Sequence, residues 1–311
     1  MRAVPDCLTC ILADVYAAAQ QTTDGETALR VSRAACAYLS SHFDYSFPPS
    51  YHITEVHRIL KRLTGQAEPF AHRRREANDA GLRIAARVAQ QASAMVDPAA
   101  RFRFLALWAL AANSLDSRTA GTGYAFDPAA TYEYLLGYLR HNPNLDQLQD
   151  LYRKVQGPLR VLYVHDNVGE MALDGLLIQE LRGHGGQVIS AVRGGPLTSD
   201  ATWADAMYLG LEQQATSLIV AGPDTLGISF REASADLLSE LEQADAVIAK
   251  GQANYYVFSE QAAALRAPVF CLFTVKCEAV GREVGLHRGD TVAAFLPLAS
   301  VPHPFQAARE S

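Results

Sequence analysis

Val161-Leu162-Tyr163-Val164-His165-Asp166-Asn167-Val168-Gly169-Glu170 decides how this chain is read, because its chemistry switches halfway along. The first four residues are apolar and mostly β-branched or aromatic, the composition of a strand buried on both faces. Asp166 and Asn167 then place side-chain oxygens where the strand ends, Gly169 permits a tight turn, and Glu170 precedes a helical pattern over residues 173–181. A hard divalent cation needs preorganised oxygen donors of this kind, and three later segments end in complementary polar groups.

Toward the C-terminus the same alternation recurs. Short apolar runs over residues 187–192, 217–220, 246–249 and 269–275 read as strands, with helical patterns over 201–211, 233–243 and 255–265 between them. A last strand is expected over 291–296. Strands separated by helix-length segments predict βαβ units around a mostly parallel sheet. Toward the N-terminus the periodicity is helical instead, over residues 7–19, 26–39, 54–63, 73–91 and 101–112. The expected organisation is a helical domain over residues 1–155 and an α/β domain over 156–311 that carries the site, joined through a partly helical connection at 142–157. Breaks are expected at Phe47-Pro48-Pro49-Ser50, at Asp97-Pro98 and around Gly121-Thr122-Gly123.

The 311 residues, 49% of them apolar, suffice for a large core. The 27 Lys and Arg against 33 Asp and Glu give a net charge of -6 with no long basic block, which argues against nucleic acid as the main partner. The opening residues lack the sections of a secretion signal, and no apolar run reaches membrane-spanning length. The expectation is a cytoplasmic protein without a membrane partner. Five cysteines, at 7, 10, 36, 271 and 277, fit a reducing compartment better than a disulfide scaffold.

In an open parallel sheet, ligands gather beyond the carboxyl ends of the strands. Those ends supply Asp166, Asn167 and Glu170; then Arg193-Gly194-Gly195-Pro196 leading to Asp200 and Asp205; then Lys250, Gly251 and Asn254; then Lys276. Asp166, Asn167 and either Asp200 or Asp205 suit Mg²⁺ or Mn²⁺, while Lys250 and Lys276 suit phosphate oxygens. Each has a plainer reading. Asp166 or Asp200 can cap a helix, Glu170 can support a first turn, and Asn254 can cap a helix rather than orient a ligand. The glycines match neither the Walker nor the dinucleotide spacing. Cys7 and Cys10 form a CxxC without a second close pair, so buried helical thiols, a redox or metal role, and a contact to the α/β half all stay open. His165 is expected to support the sheet from the side opposite Asp166. His52 and His57 are expected near the surface of the helical half, and the run His72-Arg73-Arg74-Arg75 on a solvated helix face.

With these residues the chain resembles the metal-dependent damage-control phosphatases, the family numbered 89 among domains of unknown function. The resemblance rests, in order, on CLTC (7–10), EPFAHRRREAN (68–78), ANSLD (112–116), DNVGE (166–170), RGGPLTSDATWADA (193–206), KGQAN (250–254) and VKCEAVGREVGLHRGD (275–290). It implies an N-terminal all-helical domain packed on a C-terminal Rossmann-like three-layer domain with a mostly parallel sheet. It also implies a divalent metal ion at the cleft, Mg²⁺ or Mn²⁺ and by extension Co²⁺ or Ni²⁺. Asp166, Asn167 and Asp205 map to the family's metal ligands, which favours Asp205 over Asp200; Lys250 and Lys276 map to its phosphate side, with Asn254 beside them. The early CxxC resembles the prokaryotic branch. Ser199, Glu68, Arg74 and Ala112 depart from that branch's common Asn, Asp, Lys and Gly, and these departures bear on substrate choice more than on metal binding.

The expected activity is metal-dependent hydrolysis of a phosphate monoester of a small metabolite, such as a sugar phosphate or a damaged phosphometabolite. Asp166, Lys250, Lys276 and Asn254 are the expected catalytic groups, and Asn113 and Asp116 are candidates for the opposite wall of the cleft. Carboxyl methyl transfer and non-catalytic binding of a phosphometabolite are the alternatives, distinguished by a methyl-donor pocket or by binding without turnover.

Overall fold

The computed structural model describes residues 1–113 and 131–298. Helices α1 (Pro5–Thr22), α2 (Gly25–His42) and α3 (Pro49–Thr64) form a bundle with its own apolar core, built from Ile11, Val15, Val31, Val56 and Leu60 among others. The proline breaks are helix starts: Pro49 opens α3, and Pro98 opens α5 (Pro98–Ala112) behind the capping Asp97, where a missing N–H costs nothing. The expected break at Gly121-Thr122-Gly123 lies outside the described residues. His52 and His57, expected near the surface, are both buried, since α3 inserts between its neighbours. His57 Nε2 meets the buried Asp14 carboxylate at 2.8 Å, which compensates the imidazole for lost water.

Helix α4 (Ala71–Ser93) and α5 belong to a different layer. They pack on α8 (Glu170–Gly183), which in turn lies on the sheet, and the three share one core with the sheet face. Helix α8 is buried over most of its surface, Glu170 and Asp174 included, because it is covered on both sides. Two shorter helices, α6 (Thr131–Tyr138) and α7 (Leu148–Lys154), pack on α5, with β1 (Leu145–Asp146) between them in sequence.

The sheet has seven strands: β1, β2 (Arg160–Val164), β3 (Gln187–Val192), β4 (Ser217–Val220), β5 (Ala246–Lys250), β6 (Val269–Thr274) and β7 (Thr291–Phe295). Their spatial order is β1-β7-β6-β5-β2-β3-β4, and every pairing is parallel except β6 with β7. The connecting helices are α9 (Trp203–Tyr208), α10 (Leu211–Gln214), α11 (Ala235–Gln243), α12 (Gly251–Gln261) and α13 (Glu278–Val284). This is a helical bundle packed on a Rossmann-like, mostly parallel sheet flanked by helices. The chain runs outward from β2 through β3 to β4, then returns to place β5 on the other side of β2. The reversal between β2 and β5 opens a crevice at their carboxyl ends. No helix among the described residues is long and apolar enough to cross a membrane.

Candidate active site

Asp166 and Asn167 lie just past the end of β2, at this switch point. The loop after β3 folds back along them: Val168 N donates to Ser199 O at 2.8 Å, Ala201 N donates to Asp166 O at 2.8 Å, and Asn167 and Asp200 form an isolated antiparallel bridge. Gly169 then turns the chain with φ +76. A β-carbon at Gly81 of α4 would lie 2.1 Å from Gly169 O, so the helix presses its backbone onto the turn. Asn78 of α4 also accepts from Gly169 N at 2.9 Å.

The side chains beyond β2 are hydrogen-bonded to one another. Asp166 Oδ2 accepts from Asn113 Nδ2 at 2.9 Å and from Asn167 Nδ2 at 2.8 Å, while Asn167 Oδ1 accepts from Ser199 Oγ at 2.8 Å. Glu170 Oε1 accepts from Asn167 N at 2.7 Å, a bond that ties the first turn of α8 to the strand end. Gly169, not Asp166, occupies the N-cap position of α8. Gly251, with φ +79, leaves room for Asp166: a β-carbon there would sit 1.7 Å from Asp166 Oδ2.

Lys250 ends β5 with its side chain fully buried. Its ammonium donates to Asp174 at 2.6 Å and to Glu170 at 3.3 Å, so in this geometry it is held by carboxylates. Burial opposes the lysine's charge, but Asp174 and Glu170 outweigh it and raise its pKa. Burial likewise disfavours the Asp174 carboxylate, yet Lys250 and His165 bring its pKa below the ordinary value. Asp174 also accepts from Tyr163 Oη at 2.8 Å and from His165 Nδ1 at 2.9 Å, so His165 supports this network beneath the strand end. Asn254, in the first turns of α12, is a tie rather than a cap: it donates to His165 O and Lys250 O and accepts from Ile228 N at 2.8 Å.

The two competing acids differ in their surroundings. Asp200 is fully buried; its oxygens accept from Gly227 N at 2.8 Å and Thr198 Oγ1 at 3.0 Å, and the buried Arg193 lies at 3.8 Å. Burial lowers the Arg193 pKa while Asp200 and Asp166 oppose the shift. Asp205 is the third residue of α9 and completes a capping box with Thr202. Its Oδ2 takes bonds from Thr202 and Arg74, and its Oδ1 accepts from Asn78 at 2.8 Å. The basic run of α4 is therefore not a uniformly solvated face. Arg74 is buried because it also donates to Thr198 O and Asp200 O, both at 2.8 Å, fastening α4 to the loop after β3.

A cavity of about 150 Å³ opens between α1, α3 and the strand ends, and Asp166, Asn167 and Lys276 line it together. Lys250, Asn254 and Asp205 are not among its lining residues. Cys7 and Cys10 line it as well, alongside Cys277 at the start of α13, so the CxxC contacts the α/β half. Burial pushes the Cys7 thiol pKa up. Cys271 lies in the sheet core. Asn113 reaches the cluster from the end of α5, donating to Asp166 and accepting from Thr274 N at 3.1 Å; Asp116 lies outside the described residues.

Asp166 and Asn167 fit a hard cation that keeps several waters and takes one or two carboxylates from protein. Among the described residues no three His, Cys, Asp or Glu side chains are assembled as a ready metal cluster. Asp174 and the bundle side of the cavity were missed in the sequence. An acid four residues after Glu170, set among Met171, Ala172, Leu173, Leu176, Leu177 and Ile178, was the available signal for Asp174.

The model of the damage-control phosphatase ARMT1-like domain matches residues 3–292 of this chain. An uncharacterized protein of Methanocaldococcus jannaschii is 30% identical, over 93% of this chain and 93% of its own length. A damage-control phosphatase of Archaeoglobus fulgidus is 27% identical over 94% of this chain and 99% of its own. The crystal structure of a family 89 protein from Pyrococcus horikoshii superposes with a TM-score of 0.81 at 24% identity, covering 95% of this chain and 99% of that one, a likeness of fold.

Proposed function

The chain belongs to the damage-control phosphatase ARMT1-like family, and from that membership we propose that it is a metal-dependent phosphatase hydrolysing phosphate monoesters of small metabolites. The observation that carries the reading is the shared cavity wall of Asp166, Asn167 and Lys276, oxygen donors and a cation facing one space.

In this reading Asp166 and Asn167 hold Mg²⁺, Mn²⁺, Co²⁺ or Ni²⁺, and Asp205 is the third ligand in preference to Asp200. Asp205 Oδ1 takes one hydrogen bond and its side chain is 11% exposed, whereas both Asp200 oxygens are engaged at full burial. What the cation supplies is positive charge against the phosphoryl oxygens. Lys276 neutralises the remaining phosphate charge from the cavity wall. Lys250 acts from behind as a positioning residue, holding the Glu170 and Asp174 carboxylates in place. Asn254 joins the ends of β2 and β5 through His165 O and Lys250 O, which fixes the spacing of Asp166 from α12. The partner is a small phosphorylated metabolite. Cys7, Cys36, Cys271 and Cys277 as free thiols support a reducing, cytoplasmic setting.

Release of inorganic phosphate from a panel of phosphometabolites, with each of the four metals added to chelator-treated protein, tests the reading. Metal-stimulated release is expected. Its absence across a broad panel would sink the phosphatase assignment.

A further inference from the structure

The proposed hydrolysis leaves the CxxC of α1 unused. Cys7 and Cys10 line the cavity beyond the strand ends together with Cys277, so three of the chain's five cysteines meet at one space of about 150 Å³. Cys277 comes from the other half of the molecule, at the N-cap of α13. The two helices are already joined beside these thiols: Arg282 of α13 donates to Asp6 of α1, the residue before Cys7, at 2.5 Å. Burial raises the Cys7 pKa, and Cys277 is near enough to add to the shift. Burial also holds the Tyr256 phenol well above its ordinary pKa, and Cys277, Cys7 and Cys10 each push it further, so all three sulfurs lie around one ring. Gln252 donates to Tyr256 Oη at 2.6 Å and to Cys277 Sγ at 3.6 Å, which fixes Cys277 on this wall.

Cys10 and Cys277 are half-buried, within reach of a small solute, whereas Cys7 is buried. On an α-helix the spacing of Cys7 and Cys10 places their Cα atoms about 5 Å apart on one face, so the two thiols approach Cys277 together. We propose that Cys277 is an oxidisable thiol, and that peroxide joins it to the CxxC by a disulfide that closes the cavity over Asp166 and Asn167. The Cys277 thiolate attacks one peroxide oxygen; an S–O bond forms, the O–O bond breaks, and the departing hydroxide takes up a proton. A CxxC thiolate then attacks that sulfur, forming the S–S bond and expelling the second oxygen as hydroxide, which is protonated in turn. In sum two thiols lose two electrons and two protons, and hydrogen peroxide becomes two waters. A disulfide holds its Cα atoms within about 7 Å, so α1 is clamped to α13 across the mouth of the cavity. A transient bond of this kind suits a reducing compartment, where disulfides serve sensing rather than scaffolding. The bond stands apart from the phosphatase reading; its effect on turnover rests on that reading.

Cys36 is exposed on α2, so Cys36→Ser protein keeps that thiol out of the experiment. After peroxide and alkylation of remaining thiols, tryptic digestion and mass spectrometry should find the peptide of residues 277–282 linked to that of residues 3–30, which carries the CxxC. Oxidation should slow phosphate release at least about tenfold and weaken Mn²⁺ binding, followed by electron paramagnetic resonance, by a similar factor, with both restored by dithiothreitol. Cys277→Ser and the double variant Cys7→Ser/Cys10→Ser, each compared with itself before and after peroxide, should lose both responses. Absence of the linked peptides, or unchanged turnover and Mn²⁺ affinity in protein that carries the link, overturns the inference and leaves the phosphatase standing. Failure of the reduced protein to release phosphate from any ester overturns the phosphatase reading instead, and the linked peptides then decide the thiol assignment by themselves.

Discussion

Lys250→Met removes the ammonium that Asp174 and Glu170 share while leaving a side chain of similar length to fill the space. The contacts are 2.6 and 3.3 Å, and all three side chains are at most 1% exposed. Breaking a buried pair by deleting one partner costs about 3–5 kcal/mol, because the remaining charge has neither water nor counterion. That is a large part of the roughly 5–15 kcal/mol that holds a typical domain together. The loss should depend on pH with a definite sign. In the parent protein Asp174 has a depressed pKa, so its contribution is present above the ordinary carboxylate value and fades as pH falls through the folded value. Without Lys250, burial dominates and the carboxylate pKa rises, so the variant carries its full penalty at high pH and recovers part of it as the group takes up a proton. Urea unfolding of the parent, Lys250→Met, Asp174→Asn and the double variant, at about pH 8 and about pH 5, measures both the loss and the coupling. A loss below about 1 kcal/mol at the higher pH, or one that does not shrink at the lower, would refute the argument that this pair is held together by compensation of buried charge.

Gly251→Ala should displace Asp166, since its β-carbon would fall 1.7 Å from Oδ2 and the φ of +79 disfavours any side chain; divalent-metal affinity should drop at least about tenfold, and an unchanged titration would show that the carboxylate is not a ligand. Asp166→Ala and Asp205→Ala should each weaken metal binding by about 10–100-fold or more in protein that remains folded by circular dichroism, and normal affinity in either variant removes that residue from the metal site. Arg74→Met should lower stability by about 3 kcal/mol in thermal unfolding, because Asp205 loses its cationic partner and two loop carbonyls lose a donor; a change within about 0.5 kcal/mol would mean that α4 is fastened by packing alone.

Local pattern carried much of the architecture. The strands expected over 187–192 and 217–220 are β3 and β4 to the residue, since a strand covered by helices must be apolar along its length, and turn residues bound it. The helices expected over 7–19 and 73–91 lengthen by a turn or less, to the capped ends of α1 and α4. Asp166, Asn167 and Lys276 were legible for the same reason: polar residues that interrupt an apolar run at its end have few uses inside a core.

Periodicity reports which face of an element is buried but not what covers it. The sequence determined that β2 ends in oxygen donors; the strand order decided that β5, far along the chain, ends beside it, since Gly251 cradles Asp166 only when the chain reverses around β2. It offered Lys250 as a cation near the site, while folding turned that cation onto Asp174, because a buried ammonium gains most from the nearest buried carboxylate. Arg74 reads as one more charge in a basic run until α4 is laid across the loop after β3, where Thr198 O and Asp200 O accept from its guanidinium. Composition and spacing are properties of neighbours along the chain; charge compensation and the shape of a cavity belong to neighbours in space, and only the packed structure chooses those.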